Sequence, residues 1–176
     1  MSAVIDGLLK QYEGGQISRR DLIVSLSAMA LTSRTATAQS NNPPLPVQNL
    51  NHVTLNVTDV ARSEVFYHRL FGMPTVFRQS NGAVPIMQLG TGPQFVALGG
   101  NANTTPRISH FCMTVSNFDP DRTMAILNEQ GVEGGRVRMR DGEVPELYFT
   151  DPDGISVQLQ DVSYCGGSGR LGENCS

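Results

Sequence analysis

A segment of this chain repeats after 58 residues. Leu50-Asn51-His52-Val53-Thr54-Leu55-Asn56-Val57 alternates apolar and polar residues, the pattern of a half-buried strand. Ile108-Ser109-His110-Phe111-Cys112-Met113-Thr114-Val115 has the same alternation, with His110 falling on His52. A helix follows each strand. Asp59 caps the first, Val60 to Phe71, whose apolar side reads Val60, Val65, Phe66, Leu70 and Phe71, and Gly72 ends it. Asp119-Pro120 opens the second, with Met124, Ile126 and Leu127 as apolar positions and Gly131 as its end. Three short strands then follow in each half. They lie near Thr75–Arg78, Pro85–Leu89 and Gln94–Leu98 in the first, and near Arg136–Arg140, Glu146–Thr150 and Ile155–Gln160 in the second. Self-similarity at a fixed period governs the reading of every smaller motif. The expected class is α+β, with two tandem βαβββ modules at 49–100 and 107–161. Their sheets should join side by side, each packing one face on its helix and curling the other around a cleft.

The first 38 residues read as an address. Ser18-Arg19-Arg20-Asp21 precedes a mildly apolar run, Leu22 to Leu31, and Ala36-Thr37-Ala38 is a small-x-small cleavage pattern. The arginine pair before that run resembles a twin-arginine signal, which implies export of an already folded protein to the periplasm or outside a bacterial cell. The competing reading is an ordinary amphipathic helix. Cleavage would leave about 138 residues. Residues 39–48 are polar and proline-rich and read as a linker, and 162–176 as a glycine-rich tail. In that tail Cys165 and Cys175 flank a flexible loop that closes readily into a disulfide in an oxidising compartment.

Composition excludes some functions. The net charge is −3 and tryptophan is absent, which argues against a nucleic-acid partner. No run of 18 apolar residues exists, which argues against a permanent membrane span.

The paired modules, a histidine on each first strand, and Tyr148-Phe149-Thr150-Asp151-Pro152-Asp153-Gly154 before the last strand resemble the vicinal oxygen chelate superfamily. That group holds glyoxalase I, fosfomycin- and bleomycin-resistance proteins, methylmalonyl-CoA epimerase and extradiol dioxygenases. Phe66-Tyr67-His68-Arg69-Leu70-Phe71-Gly72-Met73 is similar to the family's first helix, and the likeness covers residues 49–161.

Alternation puts His52, Thr54 and Asn56 on one face, and His110, Cys112 and Thr114 on the matching face of the second module. With Ile155, Val157 and Leu159 in the core, Ser156, Gln158 and Gln160 should face the cleft. The resemblance implies a divalent metal on His52, His110 and Gln158, with Ala97 at the position of a fourth ligand that some members have. Fe(II) is the favoured ion, with Mn, Zn, Co or Ni as alternatives. Gln158 departs from the family's glutamate. A neutral amide leaves the ion's full charge in place, lowers affinity and removes the carboxylate base of a proton shuttle.

Several side chains keep two readings. Arg136, Arg138 and Arg140 project from one side of a strand, either as an anion-recognising cleft wall, with Arg138 the substrate-binding candidate, or as a solvated face balanced by Glu143 and Glu146. Tyr148 is either a catalytic hydrogen-bond donor in the cleft or a half-buried structural tyrosine. Cys112 reads as a buried inert thiol rather than a soft ligand, and His68 as a surface residue. The expected function is an exported metal-dependent enzyme, dioxygenase-like or lyase-like, acting on a small chelating substrate. The alternative is a metal-free protein that sequesters ligands in the same cleft. The resemblance also implies a homodimer.

Overall fold

In the computed structural model, residues 2–25 and 42–175 are described. The chain divides into two compact units, Met1–Pro43 and Pro44–Ser176. The first contains α1 (Ser2–Glu13) and a second helical stretch, α2, over residues 19–25. Ser18 starts α2 with a reciprocal cap. Its Oγ accepts from the Asp21 amide at 3.2 Å, and Asp21 Oδ2 accepts from the Ser18 amide at 3.1 Å. The Ala36-Thr37-Ala38 pattern and the apolar run beyond residue 25 lie outside the described residues. No helix among the described residues is long and apolar enough to cross a membrane.

The second unit is a single eight-stranded mixed sheet flanked by two helices. In chain order it runs β1 (Val47–Asn56), α3 (Val60–Phe71), β2 (Thr75–Gln79), β3 (Val84–Gln88), β4 (Phe95–Gly99), β5 (Arg107–Val115), α4 (Pro120–Glu129), β6 (Arg136–Arg140), β7 (Val144–Thr150) and β8 (Ser156–Asp161). The spatial order is β2-β3-β4-β1-β5-β8-β7-β6. Each module pairs its first strand in parallel with its last, β1 with β4 and β5 with β8. The modules join through the antiparallel pair β1–β5. This is the curled sheet of the vicinal oxygen chelate fold, as expected from the repeat.

Local chemistry sets the helix limits. Asp59 accepts from the Arg62 amide at 2.9 Å, and Asp119 from the Arg122 amide at 2.8 Å, so each carboxylate satisfies an orphan N–H of the first turn. Gly72 ends α3 at φ 67°, a conformation that glycine adopts without Cβ strain. Gly131, at φ 78°, follows α4 and its cap Gln130.

The helices pack differently. α4 rests Leu127 on Val115, Phe118, Leu147 and Leu159. α3 turns Val60 and Tyr67, seven residues apart, onto Met73, Met87 and Leu98. The expected apolar side of α3 is therefore corrected. Val65 is 63% exposed and Phe71 65%, with Phe66 and Leu70 also exposed, because the buried stripe follows Val60 and Tyr67.

Two boundaries also differ from the reading of the sequence. β1 begins at Val47, inside the expected linker, because Val47 still pairs with Val115. Residues 162–175 are no loose appendage. Tyr164 is buried in a third cluster with Ile86, Phe95, Ala97 and Val144, and Cys165 and Cys175 are joined by a disulfide. Ile155, expected in the core, is exposed and precedes β8.

Candidate metal centre

The concave face holds a cavity of about 300 Å3 whose lining includes His52, His110 and Gln158. Each reaches it from a different strand: β1, β5 and β8. The His52 Nε2 and His110 Nε2 atoms stand 3.4 Å apart. Gln158 is 1% exposed and lines the cavity with both imidazoles, on which it acts in the sense that favours their protonated forms. The Gln158 Nε2 is buried with no hydrogen-bond partner among the described residues.

Both imidazoles are neutral near pH 7. Burial holds the His52 pKa well below the ordinary histidine value, and the neighbouring His110 adds to the effect. His110 is lowered to about 4, chiefly by burial, with the Arg138 charge acting the same way. His52 is stacked on Phe95, ring centroids 4.2 Å apart, and its Nδ1 lies 2.9 Å from Asn51 Oδ1. His110 has the Tyr148 ring edge-on at 5.2 Å and Thr54 Oγ1 at 3.2 Å from its Nε2.

The second module supplies the charge. Arg136, Arg138 and Arg140 all line the cavity, so the cleft side of β6 is the arginine side. They are not equivalent. Arg140 is buried and committed, donating from Nε to Glu146 Oε1 at 2.9 Å and from Nη1 to Asp141 at 3.0 Å. Arg136 stands over the Tyr148 ring at 5.5 Å. Arg138 is exposed and has no hydrogen-bond or ion-pair partner among the described residues.

Glu146 is the cavity carboxylate that the sequence reading passed over as surface balance. Its Oε2 accepts from the Tyr148 hydroxyl at 2.9 Å, and its Oε1 from Tyr164 at 3.2 Å as well as from Arg140. The alternation that singled out Tyr148 on β7 also puts Glu146, two residues earlier, on the cleft face. Tyr148 lines the cleft, but its proton is held by Glu146, and burial together with that carboxylate pushes its pKa up. Cys112, Thr114 and Gln160, expected on the cleft face, have no exposed surface and do not line the cavity. Burial raises the Cys112 thiol pKa, as suits an inert side chain.

Two imidazole nitrogens and an amide oxygen are a donor set that first-row divalent ions accept. No group of three His, Cys, Asp or Glu side chains among the described residues could hold a metal ion, since the third donor here is an amide. The facing imidazole Nε2 atoms, 3.4 Å apart, fit a cation between them, and Gln158 lines the same cavity as the third donor. The nearby arginines oppose its charge, so negative charge has to arrive from elsewhere.

Paired βαβββ modules curled around a cleft with one histidine from each central strand define a vicinal oxygen chelate protein. Residues 49–159 match the family described as the Glyoxalase/Bleomycin resistance protein/Dioxygenase superfamily, and the chain belongs to it. It is 31% identical over 119 residues to the glutathione transferase FosA of Serratia marcescens, covering 64% of this chain and 80% of that protein. It is 28% identical over 120 residues to the metallothiol transferase FosB of Staphylococcus saprophyticus, covering 64% and 76%. Solved structures share the fold at 19% identity. An extradiol ring-cleaving dioxygenase from B. fuscum matches with a TM-score of 0.56 over 76% of this chain and 37% of its own. Methylmalonyl-CoA epimerase from Mycobacterium tuberculosis matches with a TM-score of 0.53 over 70% and 93%.

Proposed function

We propose that this chain is a metal-dependent enzyme acting on a small anionic substrate that chelates through two oxygens. The observation that carries this reading is the pair of neutral imidazoles whose Nε2 atoms face each other at 3.4 Å beside the Gln158 amide. His52, His110 and Gln158 would hold the ion, which supplies Lewis acidity toward the substrate oxygens. Arg138 would take the substrate's negative charge, being the cavity arginine without a committed partner. Tyr148 keeps its proton across the working pH range and acts as a fixed wall against His110 rather than as a base. Because Gln158 is neutral, ion and anionic substrate should bind cooperatively, each supplying charge that the other needs.

The two sequence relatives are named as transferases of glutathione and of metallothiol chemistry, so thiol addition to a held substrate is the first reaction to assay. Dioxygenase-like or lyase-like chemistry is the second. The Cys165–Cys175 bond favours it, since such bonds persist where free thiols are scarce. That bond and the Arg19-Arg20 pair also support export through the twin-arginine machinery to the periplasm or beyond. A homodimer belongs to the same reading, with the exposed Val65, Phe66, Leu70 and Phe71 of α3 as apolar surface available for burial.

The test is metal content by mass spectrometry on anaerobically purified protein, beside His52→Ala and His110→Ala. About one equivalent in the wild type, lost in both variants, supports the enzyme. No metal under any loading condition, with or without an anion, leaves the second reading, a metal-free ligand-binding cleft, which the neutral Gln158 favours.

A further inference from the structure

His52 has a support that His110 lacks. Asn51, 1% exposed, donates from Nδ2 to the main-chain oxygen of Tyr164 at 2.8 Å. That bond orients the amide, so Asn51 Oδ1 is the atom left facing His52 Nδ1 at 2.9 Å. An amide oxygen only accepts, so His52 carries its proton on Nδ1 and points the Nε2 lone pair at the cavity. The repeat puts Ser109 at the corresponding position before His110.

The Tyr164 carbonyl belongs to the C-terminal tail, and the tail is fastened to both modules. Gln79 of β2 donates to the Gly166 oxygen at 2.7 Å, and Arg140 of β6 donates to the Gly167 oxygen at 2.6 Å. Gly166, at φ 82°, sits so close to the first module that a Cβ would come within 2.9 Å of the Phe95 ring. The Tyr164 ring packs 5.8 Å from Phe95 and 5.7 Å from His52. The Cys165–Cys175 disulfide closes the tail immediately after Tyr164.

We propose that Asn51 is a positioning residue that locks His52 in its Nδ1–H tautomer, and that the disulfide-closed tail is the structure that locks Asn51. The tail thereby sets the availability of a metal donor that lies more than 100 residues before the disulfide in the chain. This rests on the reading of His52 as a ligand, and it adds a dependence on the oxidation state of Cys165 and Cys175. Partners of this kind, one step beyond the ligands, change metal affinity by roughly 10- to 100-fold when removed.

The experiment is long-range 15N–1H NMR of the imidazoles in the full, metal-free chain, followed by Zn2+ titration calorimetry. The wild type should show His52 protonated on Nδ1. Asn51→Ala should mix in the Nε2–H form and weaken Zn2+ binding by about 10-fold or more. Asn51→Asp keeps an acceptor for Nδ1–H and should retain the tautomer. The double variant Cys165→Ser/Cys175→Ser should resemble Asn51→Ala, with the fold checked by the dispersion of the core methyl signals. A wild-type His52 protonated on Nε2, or a tautomer unchanged in both Asn51→Ala and the cysteine variant, overturns the proposal. Tautomer shifts as expected, in a protein that binds no Zn2+ at all, would uphold the positioning role and overturn the metal reading instead.

Discussion

The two modules share one backbone plan and divide the chemistry between them. Thr54 pairs with Ala97 across β1–β4, as Cys112 pairs with Gln158 across β5–β8, so Ala97 and Gln158 occupy equivalent places. His52 pairs with Phe95 in the first module. Beside His52 the first module thus presents the apolar wall of Phe95 and Ala97, which keeps His52 dry and stacked. The second presents Gln158, Tyr148, Glu146 and the arginine row, and leaves His110 nearer solvent. The 58-residue repeat places one cavity histidine in each half. The outer strands differ: the first half lines the cavity without charged side chains, and the second half with the arginine row and Glu146.

The largest expected break in this division comes from Glu146→Ala. It strands Arg140, whose side chain is 4% exposed, without its buried partner. Loss of one member of such a pair costs about 3–5 kcal/mol, read as a shift in the urea midpoint. A stability equal to that of the wild type would mean that the carboxylate clamp does not hold the second module's wall.

The helices offer a paired test. Leu127→Ala on α4 opens a hole in a closed cluster and should cost about 2–5 kcal/mol. Leu70→Ala on α3 removes an exposed side chain and should stay within about 0.5 kcal/mol in the monomer. A large cost at Leu70 that depends on protein concentration would instead indicate that α3 is covered by a second copy.

Gln158→Glu sharpens the comparison at the site. A carboxylate beside the imidazoles should raise divalent-ion affinity at least about 10-fold, since even at an effective dielectric near 20 a direct charge contact exceeds 1.4 kcal/mol. Ala97→Glu, against the apolar wall, should instead lower stability without a comparable gain in affinity. Equal gains from both variants would erase the distinction between the walls.

The pH dependence of the metal-free protein offers a further test. His110 has a folded pKa lowered to about 4 by burial, while the unfolded chain titrates near the ordinary histidine value. Between those limits the unfolded state binds more protons, so stability falls as pH is lowered from about 6.5 to about 4. The slope from this group is at most about 1.4 kcal/mol per pH unit, and His110→Phe should flatten it.

Much of this was legible in the residues. The 58-residue offset of the histidines, with alternation around each, sufficed for the strands and the module plan. Asp59 with Gly72, and Asp119 with Pro120, marked the helix limits because caps and breakers act through their own backbone. Those signals are local, and the amino-acid sequence by itself determined what they govern. The tertiary structure alone decided the rest. Strand parity separates two faces but does not say which is inside, so the arginine row stayed ambiguous until β6 took its place at the sheet edge. Helical spacing marked an apolar side on α3, but contact with Met73, Met87 and Leu98 chose a different stripe. The role of the tail lies in contacts more than 80 residues apart in the chain, from Gln79 to Gly166 and from Asn51 to Tyr164. No local pattern encodes such contacts, because their partners become neighbours only when the eight-stranded sheet curls around them.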